Sequence, residues 1–247
     1  MNPLTPETWD RLLRRLPEDE PVPLFGPLLA GPTRADGTFV LGRIAQSLDG
    51  FIAMPNGESH WISGPADIVH THRLRALFDA IVVGAGTVLA DDPQLTTRLV
   101  PGPNPVRVVI DPARRLEPRH RIFAEGPETL LICAAGIPGE PRVGRAEVVP
   151  LPFGPGGIDI FTIVAELARR GLRRIFVEGG GVTVSRFLAA GALDRLHVTV
   201  APLVMGQGIP AFAMPPVRKL ADGRRFGWTV HPMGADILLD IPLVRRG

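Results

Sequence analysis

The sequence predicts an α/β protein in which a mixed, mostly parallel sheet carries helices on both faces and a hairpin closes the chain. Three observations predict it. Short runs rich in β-branched residues alternate with helical patterns from about residue 39 to residue 200, the signature of strand–helix–strand units. Two of the strands run straight into glycine-rich turns, Gly84-Ala85-Gly86-Thr87 and Gly179-Gly180-Gly181. The last two apolar runs, Phe226 to His231 and Ile237 to Asp240, flank Pro232-Met233-Gly234, which reads as a hairpin turn.

Residues 1–38 read as an extension and 39–247 as one large domain. In the extension, Trp9, Leu12, Leu13 and Leu16 fall at helical spacing, with Thr5 or Thr8 as cap. The stretch that follows is too rich in proline to hold regular structure. The extension packs on the main domain or on a partner subunit, or stays a mobile tail. Phe39 to Ala45 is the first strand, and Asp49-Gly50 and Asn56-Gly57 mark sharp turns after it. Ser63-Gly64-Pro65 opens a helix over 65–78 whose Ala66, Val69, Leu74 and Leu77 share one face. Arg75 projects from the opposite face, toward solvent by default or toward a ligand.

Ala80 to Val83 is the second long strand, and Asp91 to Arg98 a polar loop beyond the first glycine turn. Val106 to Asp111 is the third, with its acid at the carboxyl end; Thr129 to Ala134 is the fourth, with a short strand at Glu147 to Val149. Asp159 caps a helix whose Ile160, Ile163, Val164, Leu167 and Ala168 are buried and which Gly171 stops. Arg174 to Val177 then leads through Glu178 and three glycines into a helix from Val182 to Ala190, and Asp194 to Pro202 is a further strand.

Composition narrows the class. With 247 residues and 45% hydrophobic content the chain can bury a sizeable core. Lys and Arg number 27 against 25 for Asp and Glu, a net charge of +2, so nothing demands a nucleic acid. Cys133 is the single cysteine, inside an apolar run, which excludes a disulfide or a cysteine-based zinc site within one chain and suits a reducing cytoplasm. Asp91 and Asp92 lack further ligands at metal-binding spacing, and no apolar run approaches the roughly 20 residues that span a bilayer.

The chemistry sits at the glycine turns. Residues without Cβ let backbone approach a ligand, and the N–H groups opening the next helix form a seat for a phosphate or pyrophosphate; a plain tight turn is the bland alternative. Glu178 stands at the carboxyl end of its strand, where ligands meet open α/β sheets. Two such turns suit a dinucleotide. Asp111 is placed to meet ribose hydroxyls, whereas Arg114 and Arg115 favour a 2′-phosphate and so NADP over NAD.

Ser47-Leu48-Asp49-Gly50, Gly57-Glu58-Ser59-His60-Trp61-Ile62, Leu74-Arg75-Ala76, Val83 to Pro93, Leu95-Thr96-Thr97-Arg98 and Val177 to Gly181, in this order, resemble the pyrimidine reductase of riboflavin biosynthesis, the C-terminal half of the bifunctional deaminase-reductase. The resemblance covers about residues 39 to 243. It implies the dihydrofolate reductase-like fold, a homodimer, and reduction by NADPH of 5-amino-6-(5-phosphoribosylamino)uracil, whose ribose opens to a ribityl chain. It puts the cofactor against Ala45, Trp61, Thr87, Asp91, the surroundings of Asp111, Pro112 and Arg115, and the turn Gly179, Gly180, Gly181, Val182, Thr183, Val184, Ser185 and Arg186. The substrate would meet Ser59, Arg75, Leu95, Arg98 and Glu178, with Arg75 and Arg98 gripping its phosphate. Glu178 and Asp49 are the candidate proton donors, although Asp49 serves equally as a turn acid. Arg43 stands where the family usually has lysine, Phe51 where Arg or Lys commonly follows the Asp-Gly turn, and Pro112 in place of a small hydroxyl residue. The histidine and cysteines of a zinc deaminase are not in this sequence, so the reduction alone is implied. A reductase of the same fold acting on a pterin or other heterocycle, and a nucleotide-binding protein without catalysis, are the rival readings.

Overall fold

Thr5 caps helix α1 (Pro6–Leu13): its hydroxyl accepts from the Thr8 N–H at 3.2 Å, and Pro6 occupies the first turn, where no N–H is needed. The computed structural model describes residues 4–16, 22–29, 34–59 and 62–243. After α1 come α2 (Gly26–Leu29), β1 (Phe39–Ser47), β2 (Phe51–Ala53), α3 (Pro65–Leu77), β3 (Ala80–Gly84), α4 (Ala85–Asp91), β4 (Val106–Ile110), α5 (Arg121–Ala124) and β5 (Thr129–Ala134). β6 (Arg142–Val143), β7 (Ala146–Leu151), β8 (Phe153–Gly154), β9 (Gly157–Ile158), α6 (Ile160–Arg169), β10 (Arg174–Glu178) and α7 (Gly181–Ala189) follow. β11 (Arg195–Ala201), β12 (Ile209–Pro210), β13 (Thr229–Met233) and β14 (Asp236–Pro242) complete the strands.

Among the described residues the main sheet has ten strands in the order β13-β14-β11-β1-β10-β3-β4-β5-β7-β6. The pairings from β11 through β1, β10, β3, β4 and β5 to β7 are parallel, and antiparallel pairs lie at both edges. This is the mixed, mostly parallel α/β sheet with a terminal hairpin that the sequence predicts. The hairpin strands lie a few residues from their expected bounds. Pro232 and Met233 stay within β13, an edge strand that tolerates proline, and Gly234 at φ +71° makes the turn.

Period-two alternation splits the core into two layers. Ile81, Val83 and Phe176 face one cluster with Trp9, Leu12, Phe25 and Leu74; Ala80, Val82, Ile175 and Val177 face the other, with Ile163 and Leu167 of α6 and Phe187 of α7. The N-terminal segment therefore packs on the main body. Its proline-rich part was expected to lack regular structure, yet Gly26–Leu29 form a helical turn, because Pro27 sits in a first turn that needs no N–H. The rest of that stretch falls partly outside the described residues. Leu12→Ala is expected to destabilise the protein by about 2–5 kcal/mol in urea denaturation; an unchanged midpoint would mean the extension adds nothing to the core.

Helix α3 departs most from its periodicity. Leu74 and Leu77 are buried as expected, but Ala66 and Val69 are only half-buried, while Asp67, His70, Thr71, His72 and Arg75 are all buried. The cause is a second cover: α1 and Phe25 close over the helix on one side and the sheet on the other. The polar side chains meet polar partners, as with His70 Nε2, 3.2 Å from His197 Nδ1 on β11. Burial pushes both of these imidazoles below the ordinary histidine range, so they are neutral. Gly64 is the N-cap of α3, and having no side chain it caps none of the first-turn N–H groups.

Candidate active site

The parallel strands β1, β10, β3 and β4 end on the same edge, where a cleft of about 860 Å³ opens. The central glycine turn lines it. Gly179 has φ +103°, a conformation costly to any residue with a Cβ, and Gly180 forms the N-cap of α7 without a side-chain hydrogen bond. The Thr183 N–H donates to the Gly180 carbonyl at 3.0 Å, and the N–H groups of Gly181 and Val182 are left for a ligand. Gly84, Gly86 and Thr87 of the other turn line the same cleft. The sequence reading ends the glycine turn in a polar loop at Asp91, whereas α4 runs through Asp91 and ends on Asp92 at φ +38°.

Beside that turn stands a buried ion pair, since Glu178 directly precedes Gly179. Arg75 Nε donates to Glu178 Oε2 at 2.9 Å and Nη2 to Oε1 at 2.5 Å, a two-point fork, and Nη1 donates to the Thr96 carbonyl at 3.1 Å. Arg75 is 7% exposed, so the solvated default fails: β10 delivers a carboxylate to what helical geometry alone assigns to the open face. Burial pushes the Glu178 carboxyl up, but Arg75 and then Arg43 and His72 outweigh it, and the net shift is below the ordinary value. Glu178 is therefore ionised near neutrality and is an acceptor, not a proton donor.

The loop after α4 is pinned from several sides. Leu95 adopts φ +53° and lines the cleft; Arg107, buried, donates to the Gln94 carbonyl at 3.1 Å, and Asn104 Oδ1 accepts from the Thr97 N–H at 2.7 Å. His72 Nδ1 accepts from the Arg98 N–H at 3.1 Å. Burial, then Arg75 and Arg98, lower the His72 pKa to about 4 against the opposing charge of Glu178, so it is a neutral acceptor.

Of the sequence-derived site residues, Ala45, Ser59, Arg75, Thr87, Asp91, Leu95, Pro112, Arg115, Glu178, Gly179, Gly180, Gly181, Val182, Thr183 and Arg186 line this one cleft. Trp61 lies outside the described residues. Five others are not in the lining. Asp49 is a turn acid instead: it accepts from Ser47 Oγ at 2.6 Å and from the Gly206 N–H at 2.7 Å, bonds that hold its pKa down. Asp111 is fully buried; its Oδ2 accepts from the Leu116 N–H at 2.9 Å and its Oδ1 has no hydrogen-bond partner. Val184 and Ser185 fall on the inner face of α7, where Val184 is core and Ser185 Oγ accepts from the Ala213 N–H at 2.8 Å. Arg98 is exposed beside the cleft, near enough to Arg75 for their charges to repel. Arg114, read with Arg115 as a phosphate ligand, instead donates to the Glu140 carbonyl at 2.7 Å.

Arg43, a departure from the family's lysine that the resemblance puts near the substrate, reaches the cleft. Asp67, Ile209 and Pro210 carry no such signal in the sequence. Asp67, paired with Arg43, reads as an ordinary first-turn acid of α3. Ile209 and Pro210 form a rim because β12 pairs antiparallel with β2, a contact without a local pattern. Among the described residues no helix is long and apolar enough to cross a membrane, and no three acidic, histidine or cysteine side chains gather as a metal site.

The family model described as RibD C-terminal domain matches residues 38–229. The 2,5-diamino-6-ribosylamino-4(3H)-pyrimidinone 5′-phosphate reductase of Methanothermobacter thermautotrophicus is 39% identical over 175 residues, 68% of this chain and 79% of that protein. The riboflavin biosynthesis protein RibD of Escherichia coli is 33% identical over 215 residues, 81% of this chain but 58% of that longer protein. Among solved structures, RibD of Acinetobacter baumannii superposes with a TM-score of 0.74 at 28% identity, covering 90% of this chain and 61% of that one.

Proposed function

The chain belongs to the RibD C-terminal domain family, and from that membership we propose that it is a pyrimidine reductase of riboflavin biosynthesis that uses NADPH to reduce 5-amino-6-(5-phosphoribosylamino)uracil. The observation that carries the proposal is the joining, in one cleft, of an uncapped α7 N-terminus and the Arg75–Glu178 pair. The cleft suits the cofactor. Gly179 and Gly180 leave space where a Cβ would come within 3.1–3.2 Å of Thr87 Oγ1, the α7 amides offer a pyrophosphate seat, and Arg115 and Arg186 add positive charge. Ile44, Ile52, Ile110 and Phe187 supply apolar wall.

When bound, the reduced nicotinamide would supply the hydride that, together with a proton from solvent at the nitrogen, takes the ring-opened C1′ imine to an amine. The protein's own task is positioning and charge placement. Glu178, ionised and held from behind by Arg75, accepts a hydrogen bond from a hydroxyl of the opened sugar and fixes where C1′ lies. Arg98, exposed at the mouth, meets the sugar phosphate; Arg75 contributes through Glu178 instead of gripping that phosphate directly.

A second pyrimidine deserves the same test, since the archaeal relatives are named for the 2,5-diamino compound. The experiment follows NADPH oxidation with the aminouracil and the diaminopyrimidinone phosphoribosides, their dephospho forms and dihydrofolate. Reduction of a phosphoriboside is expected. Turnover of dihydrofolate alone, or no saturable NADPH binding, would overturn the reading. Arg98→Ala is expected to raise KM for the phosphoriboside about tenfold, roughly 1.4 kcal/mol, with NADPH affinity nearly unchanged; equal loss of both would refute that division.

A further inference from the structure

Arg43 and Glu178 are direct partners across the parallel pair β1 and β10, yet they do not form an ion pair. The Arg43 guanidinium turns to Asp67 instead, with Nη2 donating to Oδ2. Asp67 is fully buried in the first turn of α3, where the helix dipole favours a carboxylate. Its other oxygen, Oδ1, accepts from Thr199 Oγ1 at 2.7 Å, on β11, the neighbour of β1 on the side away from β10. One carboxylate thereby ties α3 to two strands and draws the Arg43 guanidinium toward β11. Arg43 nevertheless lines the cleft with its side chain 11% exposed, and its buried Nε has no hydrogen-bond partner. A buried N–H without an acceptor is costly, and here the missing acceptor can come from a molecule in the cleft.

We propose that Asp67 is a positioning residue that keeps Arg43 off Glu178, so that Glu178 stays forked with Arg75 and the Arg43 Nε is left as a donor to an oxygen of the pyrimidine substrate. The proposal rests on the reductase reading of the cleft. Without the Asp67 charge, Arg43 is released toward the carboxylate opposite it, and two guanidinium groups compete for Glu178. The substrate then loses a donor and finds its acceptor displaced.

The test compares Asp67→Asn and Thr199→Val with the wild type for pyrimidine KM, kcat, NADPH Kd and the pH profile of kcat/KM. Asp67→Asn is expected to raise KM about tenfold or more, with NADPH Kd within about twofold, and to move the acid limb of the profile to lower pH as Arg43 adds its charge at Glu178. A residue needed only for folding would lower the active fraction and move neither KM nor the limb. Thr199→Val, which removes one anchor of Asp67 and keeps its charge, is expected to raise KM in the same direction by less, and it decides the matter if Asp67→Asn does not fold. Wild-type KM and acid limb in the folded variants, with wild-type reduction intact, would overturn this proposal alone. Absence of reduction by the wild type would overturn the reductase reading and this proposal with it.

Discussion

Glu178→Gln is expected to lower kcat/KM for the phosphoriboside at least about a hundredfold, roughly 2.7 kcal/mol, while NADPH still binds. The amide keeps the shape but not the charge, so the buried Arg75 fork loses its counter-ion and the substrate loses an anionic acceptor. Stability should fall as well. Removing one member of a buried pair costs about 3–5 kcal/mol, because the remaining charge is left uncompensated; with Glu178 13% and Arg75 9% exposed at the side chain, little solvent screening reduces this. The pH dependence has a defined sign. The folded-state pKa of Glu178 lies below the ordinary 4.5, so the stabilisation from its ionised form is complete above 4.5 and is lost as pH falls through the lowered value. Wild-type activity at neutral pH in Glu178→Gln, or an unchanged acid unfolding curve, would remove Glu178 from the centre of the site.

Gly181→Ala should produce the second large effect. A Cβ there would stand 2.5 Å from the Ala211 carbonyl oxygen and 2.8 Å from that of Pro210, both backbone, so no side chain can swing aside. Either α7 or the 210–211 segment must move, and both border the proposed pyrophosphate seat. We expect a loss of about 1–3 kcal/mol in stability, as for overpacked cores, and a fall of at least about tenfold in NADPH affinity, measured by fluorescence titration. Gly227→Ala is the control, since a Cβ at Gly227 meets nothing within 4 Å and the residue lies outside the cleft lining. Equal tolerance of the two substitutions would mean that the close approach at Gly181 does not shape the seat.

These contrasts mark where local pattern stops being informative. Gly86 and Gly181 look alike as members of glycine runs, but only Gly181 is crossed by another backbone, brought there by a segment 30 residues later. The helix cap at Thr5 and the stop at Gly171, φ +82°, were legible because caps are decided within a few residues. Asp111 shows a different limit of local pattern. Its place at a strand end suggested a ligand, whereas its carboxylate bonds the chain five residues on.

The sequence by itself determined the strand–helix alternation, the two glycine turns and the position of Glu178 at a strand end, since periodicity, turn chemistry and capping are short-range properties. Tertiary structure alone decided which charges meet. Arg75 is a solvent-facing arginine until β10, a hundred residues away, places Glu178 against it, and Asp67 is a helix-turn acid until β1 and β11 bring Arg43 and Thr199 to its two oxygens. Pairing between distant segments depends on strand order and register, and neither is written in any local stretch of the chain.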